Sequence, residues 1–279
     1  MSQTGPAWDT TKLMPWEQIA QLDPIHQRPL TVLASCGSYN PVHSAHIDMI
    51  HTAKEQLESQ AAFHPSMTAT FPPAPLVIGA FISPVNDYYK KDGLLSFEHR
   101  VAICKAVLQT SPLIAVDEWE GQQGEYQRTY VVLAQLLAKI RVFYDSTARN
   151  KEEKERAQHL QLTFVCGADL FETFYRPGVW TLSLLKKIFE EFGLAVVCRS
   201  GNKNPRDVVS SHTCPLTSEK EPGVSLDLTP YATRVAVVTI PPNTTSSTLI
   251  RQRLKDKGSL EGLLPPAAAA YILAHNLYA

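Results

Sequence analysis

Residues 30–50, LTVLASCGSYNPVHSAHIDMI, decide the fold of this chain. The apolar run from Leu30 to Cys36 has the length and composition of a buried β-strand, and Gly37 ends it. Apolar residues then recur at helical spacing from Ile47 onward, so the period of the pattern changes. The stretch therefore predicts a strand, a tight glycine turn and a helix.

Two histidines, His43 and His46, lie where this helix is predicted to begin. A helix N-terminus exposes unpaired N–H groups and the positive end of the peptide dipole, so it attracts phosphate. Gly37 lets a ligand approach the backbone because it has no Cβ. Imidazoles three residues apart share one helical face and can point at one anion. The pattern indicates a phosphate site, with ordinary surface or capping histidines as the alternative.

Strand and helix patterns alternate along the rest of the chain. The further predicted strands are Leu76–Ile82, Leu113–Val116, Leu162–Cys166, Leu194–Cys198 and Val235–Ile240. The further predicted helices are Ser96–Leu108, Tyr130–Phe143, Leu182–Phe192, Ser246–Lys257 and Pro265–Leu277. This alternation predicts the α/β class, with a doubly wound parallel sheet, helices on both faces and a helical C-terminal end. Ligands of such sheets bind at the carboxyl ends of the strands.

The domain organisation is read from composition. Residues 1–28 are polar and proline-containing, and we expect an N-terminal extension outside the fold. Residues 29–279 are predicted to form a single domain. Insertions are expected at about 60–75, 145–158 and 200–230, where prolines, dense charge or a lack of periodicity interrupt the pattern.

Composition excludes several classes of protein. The chain has 26 Lys plus Arg against 27 Asp plus Glu, a net charge of −1 that argues against a nucleic-acid or anionic-membrane partner. Its five cysteines form no CxxC pair or zinc spacing, which suits free thiols in a reducing compartment. Neither a signal peptide nor an apolar run of the ~18–20 residues that span a membrane is visible. We expect a soluble cytoplasmic or nuclear protein, and the sequence does not choose between the two.

A second helix start carries anion-binding groups. Residues 245–251, TSSTLIR, open the penultimate helix. Ser246 can cap this helix, and Thr248 and Arg251 lie on its first turn, where an anion would bind. The alternative is a plain capped helix with a solvated arginine. If both helix starts serve one site, the fold must bring them together around a single anion.

These segments carry a resemblance. GSYNPVHSAH is similar to the GxFxPxHxGH phosphate-binding turn of the nucleotidyltransferase superfamily, with His43 and His46 at the two histidine positions and Ala45 where glycine is usual. Residues 245–251 resemble the second motif of the superfamily, ISxTxxR, with Thr245 in place of isoleucine.

Longer motifs narrow the family. SPVNDYYKKDGLLSFEHR, VDEWEGQQGEYQRT, CGADLFETF, RPGVW and GLAVVCRSG resemble the eukaryotic nicotinamide/nicotinate mononucleotide adenylyltransferases, especially the plant-like branch. The resemblance runs from about residue 30 to the end. It implies a Rossmann-like fold and transfer of AMP from ATP to NMN or NaMN, giving NAD or deamido-NAD and pyrophosphate in NAD biosynthesis. It also implies Mg²⁺ bound mainly through the ATP phosphates. Members of the family often form homo-oligomers, but the sequence does not fix the oligomeric state.

The resemblance also implies site residues. The catalytic set is His43, His46 and Arg251. The ATP and phosphate set is Gly37, Ser38, His43, His46, Lys90, Lys91, Ser246, Thr248 and Arg251. The mononucleotide set is Gly37, Ser38, Tyr39, Trp119, Gly167, Asp169, Val179, Trp180, Arg199 and Asn243.

Several of these residues have a chemical rationale and an alternative. Trp119 and Trp180 can stack on the pyridinium cation, or can simply pack in the core. Lys90 and Lys91 can neutralise phosphate as point charges, or can be solvated, and the sequence does not tell which of them contacts ATP. Asp169 can accept from ribose hydroxyls, or can cap a helix.

Two other functions are compatible with the predicted fold and nucleotide site. The same fold can transfer a nucleotide to another acceptor, such as phosphopantetheine or a cytidylyl acceptor. A nucleotide-binding sensor or chaperone-like protein without turnover is the alternative from another class. The sequence does not fix the preference between NMN and NaMN, since these differ by one neutral or charged group.

Overall fold

The computed structural model describes residues 8–62, 73–199, 203–211, 215–241 and 244–278. The predicted insertions at 60–75 and 200–230 lie partly outside these residues. Within them, no helix is long and apolar enough to cross a membrane.

A parallel sheet forms the centre of the molecule. The described strands are β1 (Leu30–Gly37), β2 (Leu76–Pro84), β3 (Ile114–Val116), β4 (Gln161–Gly167), β5 (Gly193–Arg199), β6 (Leu216–Thr217), β7 (Ser225–Leu226) and β8 (Val235–Ile240). Six of them pair in parallel in the order β3-β2-β1-β4-β5-β8, while β6 and β7 form a separate antiparallel pair. All six predicted strands are confirmed. The order reverses between β1 and β4, and a crevice forms at such a switch point.

Helices cover the sheet. They are α1 (Trp16–Leu22), α2 (Ser44–Glu58), α3 (Phe97–Leu108), α4 (Thr129–Thr147), α5 (Lys151–Gln158), α6 (Ala168–Glu172), α7 (Leu182–Glu191), α8 (Pro205–Ser211), α9 (Ser247–Lys255) and α10 (Pro266–Ala274). The predicted α/β class is confirmed, and each predicted helix is present. The sequence did not predict α1, α5, α6 and α8, which are all short.

The strands separate two apolar cores, one on each face. Successive side chains of a strand point to opposite faces, so Val32 and Ala34 of β1 belong to one core and Leu33 to the other. All three are nearly inaccessible to solvent. Burial on both faces explains why the strand is a continuous apolar run instead of an alternating one.

The N-terminal segment packs on the sheet. The Trp16 and Ile19 side chains of α1 belong to one of the two cores. The Trp16 indole N–H donates to the Tyr144 carbonyl at 3.2 Å. A Cβ on Gly79 would lie 2.7 Å from the Leu13 side chain, so that glycine makes room for the segment. The prediction that residues 1–28 lie outside the fold is therefore wrong for residues 8–28.

This packing predicts a loss of stability when α1 is trimmed. Ile19 has 0% of its surface exposed. Ile19→Val should therefore lower the free energy of unfolding by about 1 kcal/mol, because a buried methylene leaves a void. Ile25→Val is the matched control, since the Ile25 side chain is 69% exposed. Urea unfolding measures both variants, and an unchanged midpoint for Ile19→Val would show that α1 adds nothing to the fold.

The charged segment 145–158 is also part of the fold. It contains the end of α4 and all of α5, where the Ala157 side chain is fully buried. The Arg149 backbone N–H donates to the buried Glu153 carboxylate at 2.7 Å, and the Arg149 guanidinium pairs with it. The insertion expected at 145–158 is therefore a helix packed against the fold, and ion pairs stabilise those of its charged side chains that are partly buried.

Candidate active site

The turn between β1 and α2 holds the predicted histidine pair. His43 is the N-cap residue of α2 and is buried, and His46 lies on the first turn. Their rings stack with centroids 3.7 Å apart. The His43 backbone N–H donates to His46 Nδ1 at 3.2 Å. In neutral His46 the proton is therefore on Nε2, which leaves that atom as a hydrogen-bond donor.

Burial keeps both imidazoles neutral. Burial, and to a smaller extent the nearby Arg199 charge, lowers the pKa of His43 to about 4. Burial, the neighbouring His43 and the Arg199 charge also lower the pKa of His46 well below its usual value. His43 Nδ1 is buried without a hydrogen-bond partner in the described part of the chain. The pair is thus neutral near pH 7, and His46 Nε2–H is its hydrogen-bond donor.

The start of α9 contacts the same turn. Arg251 donates to the Asn40 carbonyl at 2.8 Å, and the Ser247 hydroxyl donates to the Pro41 carbonyl at 3.0 Å. A second guanidinium nitrogen of Arg251 lies 3.3 Å from the Thr248 hydroxyl. The Ser246 hydroxyl caps the helix by accepting from the Leu249 N–H at 3.1 Å. The structure therefore brings the two predicted phosphate-binding helix starts together.

Arg100, which sequence reasoning missed, holds the turns in place. Its side chain is fully buried on α3. It donates to the carbonyls of Ser38 at 3.0 Å, Val85 at 2.6 Å and Leu95 at 2.8 Å, and it pairs with Asp87 at 2.9 Å. One signal in the sequence could have indicated that Arg100 is buried. Ile103 and Cys104 lie three and four residues farther along the same face of α3, and both are buried and apolar.

A cleft of about 600 Å³ opens beside Gly37 and Ser38. It lies at the carboxyl ends of β1 and β2, where a parallel sheet binds its ligands. The lining residues from the predicted set are Gly37, Ser38, Lys91, Val179 and Trp180. Lining residues that were not predicted include Glu120, Tyr126, Arg128 and Thr129.

The two predicted tryptophans differ in placement. Trp180 lines the cleft, and its indole N–H donates to the Thr173 hydroxyl at 2.8 Å, which fixes the ring. Trp119 is not among the lining residues. Tyr126, seven residues farther along, lines the cleft instead, and its ring centroid lies 5.7 Å from that of Tyr89. Both aromatics occur in one loop motif, and the sequence has no signal that tells which one faces inward.

Tyr39 supports the histidines from behind. Its side chain is buried, and the hydroxyl donates to the Ser35 carbonyl at 2.9 Å. The ring contacts the His46 imidazole edge to face at 5.0 Å. Tyr39 is not among the lining residues, so its side chain orients His46 and does not face the cleft.

Glu120 places a buried carboxyl on the cleft wall. Burial is the main cause of a pKa raised to about 8; the hydrogen bond from the Asn86 backbone N–H acts against this rise, and the nearby Asp117 adds to it. The Asn86 backbone N–H lies 3.4 Å from one of its oxygens. Glu120 is therefore mostly protonated at pH 7, and it does not repel an anionic ligand.

The remaining predicted residues, like His43, His46 and Arg251, are not among the described residues that line this cleft. Gly167 is the N-cap residue of α6 and Asp169 is exposed on the first turn, which rules out the alternative of Asp169 as the cap. Arg199 ends β5, close enough for its charge to act on both histidines. Lys90 is exposed and is not among the lining residues. Asn243 lies outside the described residues.

A second cavity, of about 550 Å³, lies at the other end of the sheet. Thr31, Thr163 and Ala236, near the amino ends of their strands, line it. Ligands of doubly wound sheets bind at the opposite end, so this cavity is not the candidate active site.

Comparison with known proteins agrees with this geometry. The cytidylyltransferase-like family model matches residues 34–253, which places the chain among the nucleotidyltransferases of that class. The nicotinamide/nicotinic acid mononucleotide adenylyltransferase of Arabidopsis thaliana is 31% identical over 265 residues, covering 95% of this chain and 97% of the relative. The enzyme of the same name from Oryza sativa is 31% identical over 268 residues, with 95% and 93% coverage. The chain belongs to the nicotinamide/nicotinic acid mononucleotide adenylyltransferase family.

A solved structure confirms the fold. The Plasmodium falciparum nicotinic acid mononucleotide adenylyltransferase complexed with NaAD aligns with a TM-score of 0.53 at 16% identity. The alignment covers 89% of this chain and 97% of that one. The Rossmann-like fold and the family that the sequence motifs indicated are both confirmed.

Proposed function

We infer that this chain is an adenylyltransferase of NAD biosynthesis, which joins AMP from ATP to NMN or NaMN and releases pyrophosphate. Members of its family carry this activity in their names, and they match over nearly the whole chain. The observation that carries the inference is the contact between Arg251 and the Asn40 carbonyl, because it joins two anion-binding helix starts into one site.

The chemistry needs positioning and charge neutralisation. The 5′-phosphate of the mononucleotide attacks the α-phosphorus of ATP in line, and pyrophosphate leaves. This nucleophile is already an anion, so neither a general base nor a covalent intermediate is required. We assign His43, His46 and Arg251 to the charge that develops on the bridging and leaving oxygens. Ser246 and Thr248 offer hydroxyls to the same phosphates, and Lys91 from the cleft wall is the better placed of the two lysines.

Magnesium enters this proposal as part of the substrate. Among the described residues, no group of three or more His, Cys, Asp or Glu could hold a metal ion. The donors at the two helix starts are imidazoles, hydroxyls and a guanidinium, which are poor Mg²⁺ ligands beside phosphate oxygens and water. We propose that Mg²⁺ arrives bound to ATP.

The part of the cleft that Trp180 and Tyr126 line suits the pyridine ring of the mononucleotide. Trp180 and Tyr126 line it, and an aromatic face attracts the pyridinium cation. We therefore propose Tyr126, in place of Trp119, as the second aromatic contact. Gly167 and Asp169 remain the proposed ribose turn.

Tyr126→Leu should raise KM for the mononucleotide roughly tenfold, because loss of a desolvated cation–π contact costs about 1–2 kcal/mol. KM for ATP should stay within twofold. Trp119→Leu is the matched control, since Trp119 does not line the cleft. The assay is the initial rate of product formation as one substrate is varied. A larger rise in the mononucleotide KM for Trp119→Leu than for Tyr126→Leu would show that Trp119, and not Tyr126, is the second aromatic contact.

One assay tests the function itself. The purified protein is mixed with ATP, Mg²⁺ and NMN, or NaMN in a parallel arm, and the release of pyrophosphate and dinucleotide is followed. Pyrophosphate release only with another phosphorylated acceptor would point to a different transferase. ATP binding without release from any acceptor would point to a non-catalytic nucleotide-binding protein.

A further inference from the structure

The segment that follows α10 contacts the turn between β1 and α2. Tyr278 lies in the left-handed region, with φ at +64°, and its ring packs against the core on the α2 side of the sheet. Its hydroxyl donates to the Asn40 side-chain oxygen at 2.7 Å. These two residues are 238 positions apart in the chain. A side chain near the end of the sequence is therefore part of the turn that precedes α2.

Asn40 is the residue through which this contact acts. Only 2% of its surface is exposed. Its side-chain amide donates to the Gly93 carbonyl at 2.8 Å, and its side-chain oxygen accepts from the Leu95 N–H at 3.2 Å. Its backbone carbonyl accepts from Arg251 at 2.8 Å. The Tyr278 hydroxyl thus fixes the side chain of the residue whose backbone orients the Arg251 guanidinium.

The charges around the phenol keep it a neutral donor. Burial raises the pKa of Tyr278 well above its usual value, while the charges of Arg251 and Arg100 act in the opposite direction. A phenol at this place adds no charge to the site, and its contribution is one hydrogen bond in a partly buried network.

We propose that Tyr278 is a positioning residue for the ATP phosphates, acting through Asn40 on Arg251. This rests on the proposed function in assigning Arg251 to ATP. Tyr278 does not touch the substrate in this scheme. It restricts the turn and the guanidinium to one arrangement, so that ATP binding costs less ordering.

Tyr278→Phe tests the proposal, because it keeps the ring and removes only the hydroxyl. We expect KM for ATP to rise about five- to tenfold, with KM for the mononucleotide and the melting temperature nearly unchanged. The matched control is Tyr271→Phe on α10, whose hydroxyl lies 3.2 Å from His99 Nδ1 instead of reaching the turn. That control should leave both KM values unchanged. If Tyr278→Phe keeps KM for ATP within twofold of the wild type, or raises both KM values together, the proposal is overturned.

A double-mutant cycle separates positioning from general support. If Tyr278 acts through Arg251, Tyr278→Phe should have no further effect on ATP affinity once Arg251→Met is present. Full additivity of the two losses would overturn the proposal. Direct calorimetric titration with MgATP gives these affinities without turnover. The cycle therefore stays informative even if the wild type makes no dinucleotide, a result that would count against the proposed function instead.

Discussion

His46→Ala should lower kcat a hundredfold or more. The His46 ring is held by the His43 stack, by the edge of Tyr39 and by the hydrogen bond to its Nδ1. This orientation leaves Nε2–H free to donate to a phosphate oxygen without reorganisation. Loss of one preorganised donor to developing charge costs roughly 3–4 kcal/mol.

The measurement is the rate of dinucleotide formation at saturating ATP and mononucleotide. His51→Ala is the matched control, because His51 lies five residues farther along α2 and on a different face of the helix. Circular dichroism of both variants checks that α2 still forms. A fall of less than tenfold for His46→Ala would contradict its catalytic assignment.

Arg100→Met should lower the free energy of unfolding by about 3 kcal/mol or more, since it removes a buried guanidinium that donates to three backbone carbonyls and pairs with the exposed Asp87. The methionine fills much of the space but leaves the carbonyls of Ser38, Val85 and Leu95 without their donor. For a chain of this size the melting temperature should fall by roughly 6–12 °C. Activity should fall too, because the Ser38 carbonyl belongs to the turn that borders the cleft.

Urea unfolding with extrapolation to water measures this loss. Arg253→Met, at an exposed position of α9, is the matched control and should change stability by no more than about 0.5 kcal/mol. An unfolding midpoint of Arg100→Met equal to that of the wild type would mean that the network contributes nothing to stability.

Local pattern explains which parts of the fold were predictable. β1, the glycine turn and α2 follow from one change of period, and α9 follows from a cap beside a helical repeat. The seven residues of α1 carry no comparable signal. The burial of Trp16 depends on a carbonyl of α4 that is 128 positions away. Such a contact is set by tertiary packing, so composition misplaced this segment outside the fold.

The residues of the candidate site also fall into two groups, those marked by a local sequence pattern and those placed by tertiary contacts. The placement of His43 and Arg251 at helix starts was predictable, because a cap or a change of period marks where a helix begins. Arg100 and Tyr278 act on backbone or on another side chain, and no local spacing marks them. In the loop after β3, the inward orientation of Tyr126 depends on how the loop folds over the cleft.

The link between Asn40 and Arg251 spans 211 positions of the chain. A nascent polypeptide has no complete nucleotide site until the ribosome has released the α9 segment. ATP can therefore protect only molecules whose synthesis has passed the α9 segment, because a ligand stabilises the state that binds it.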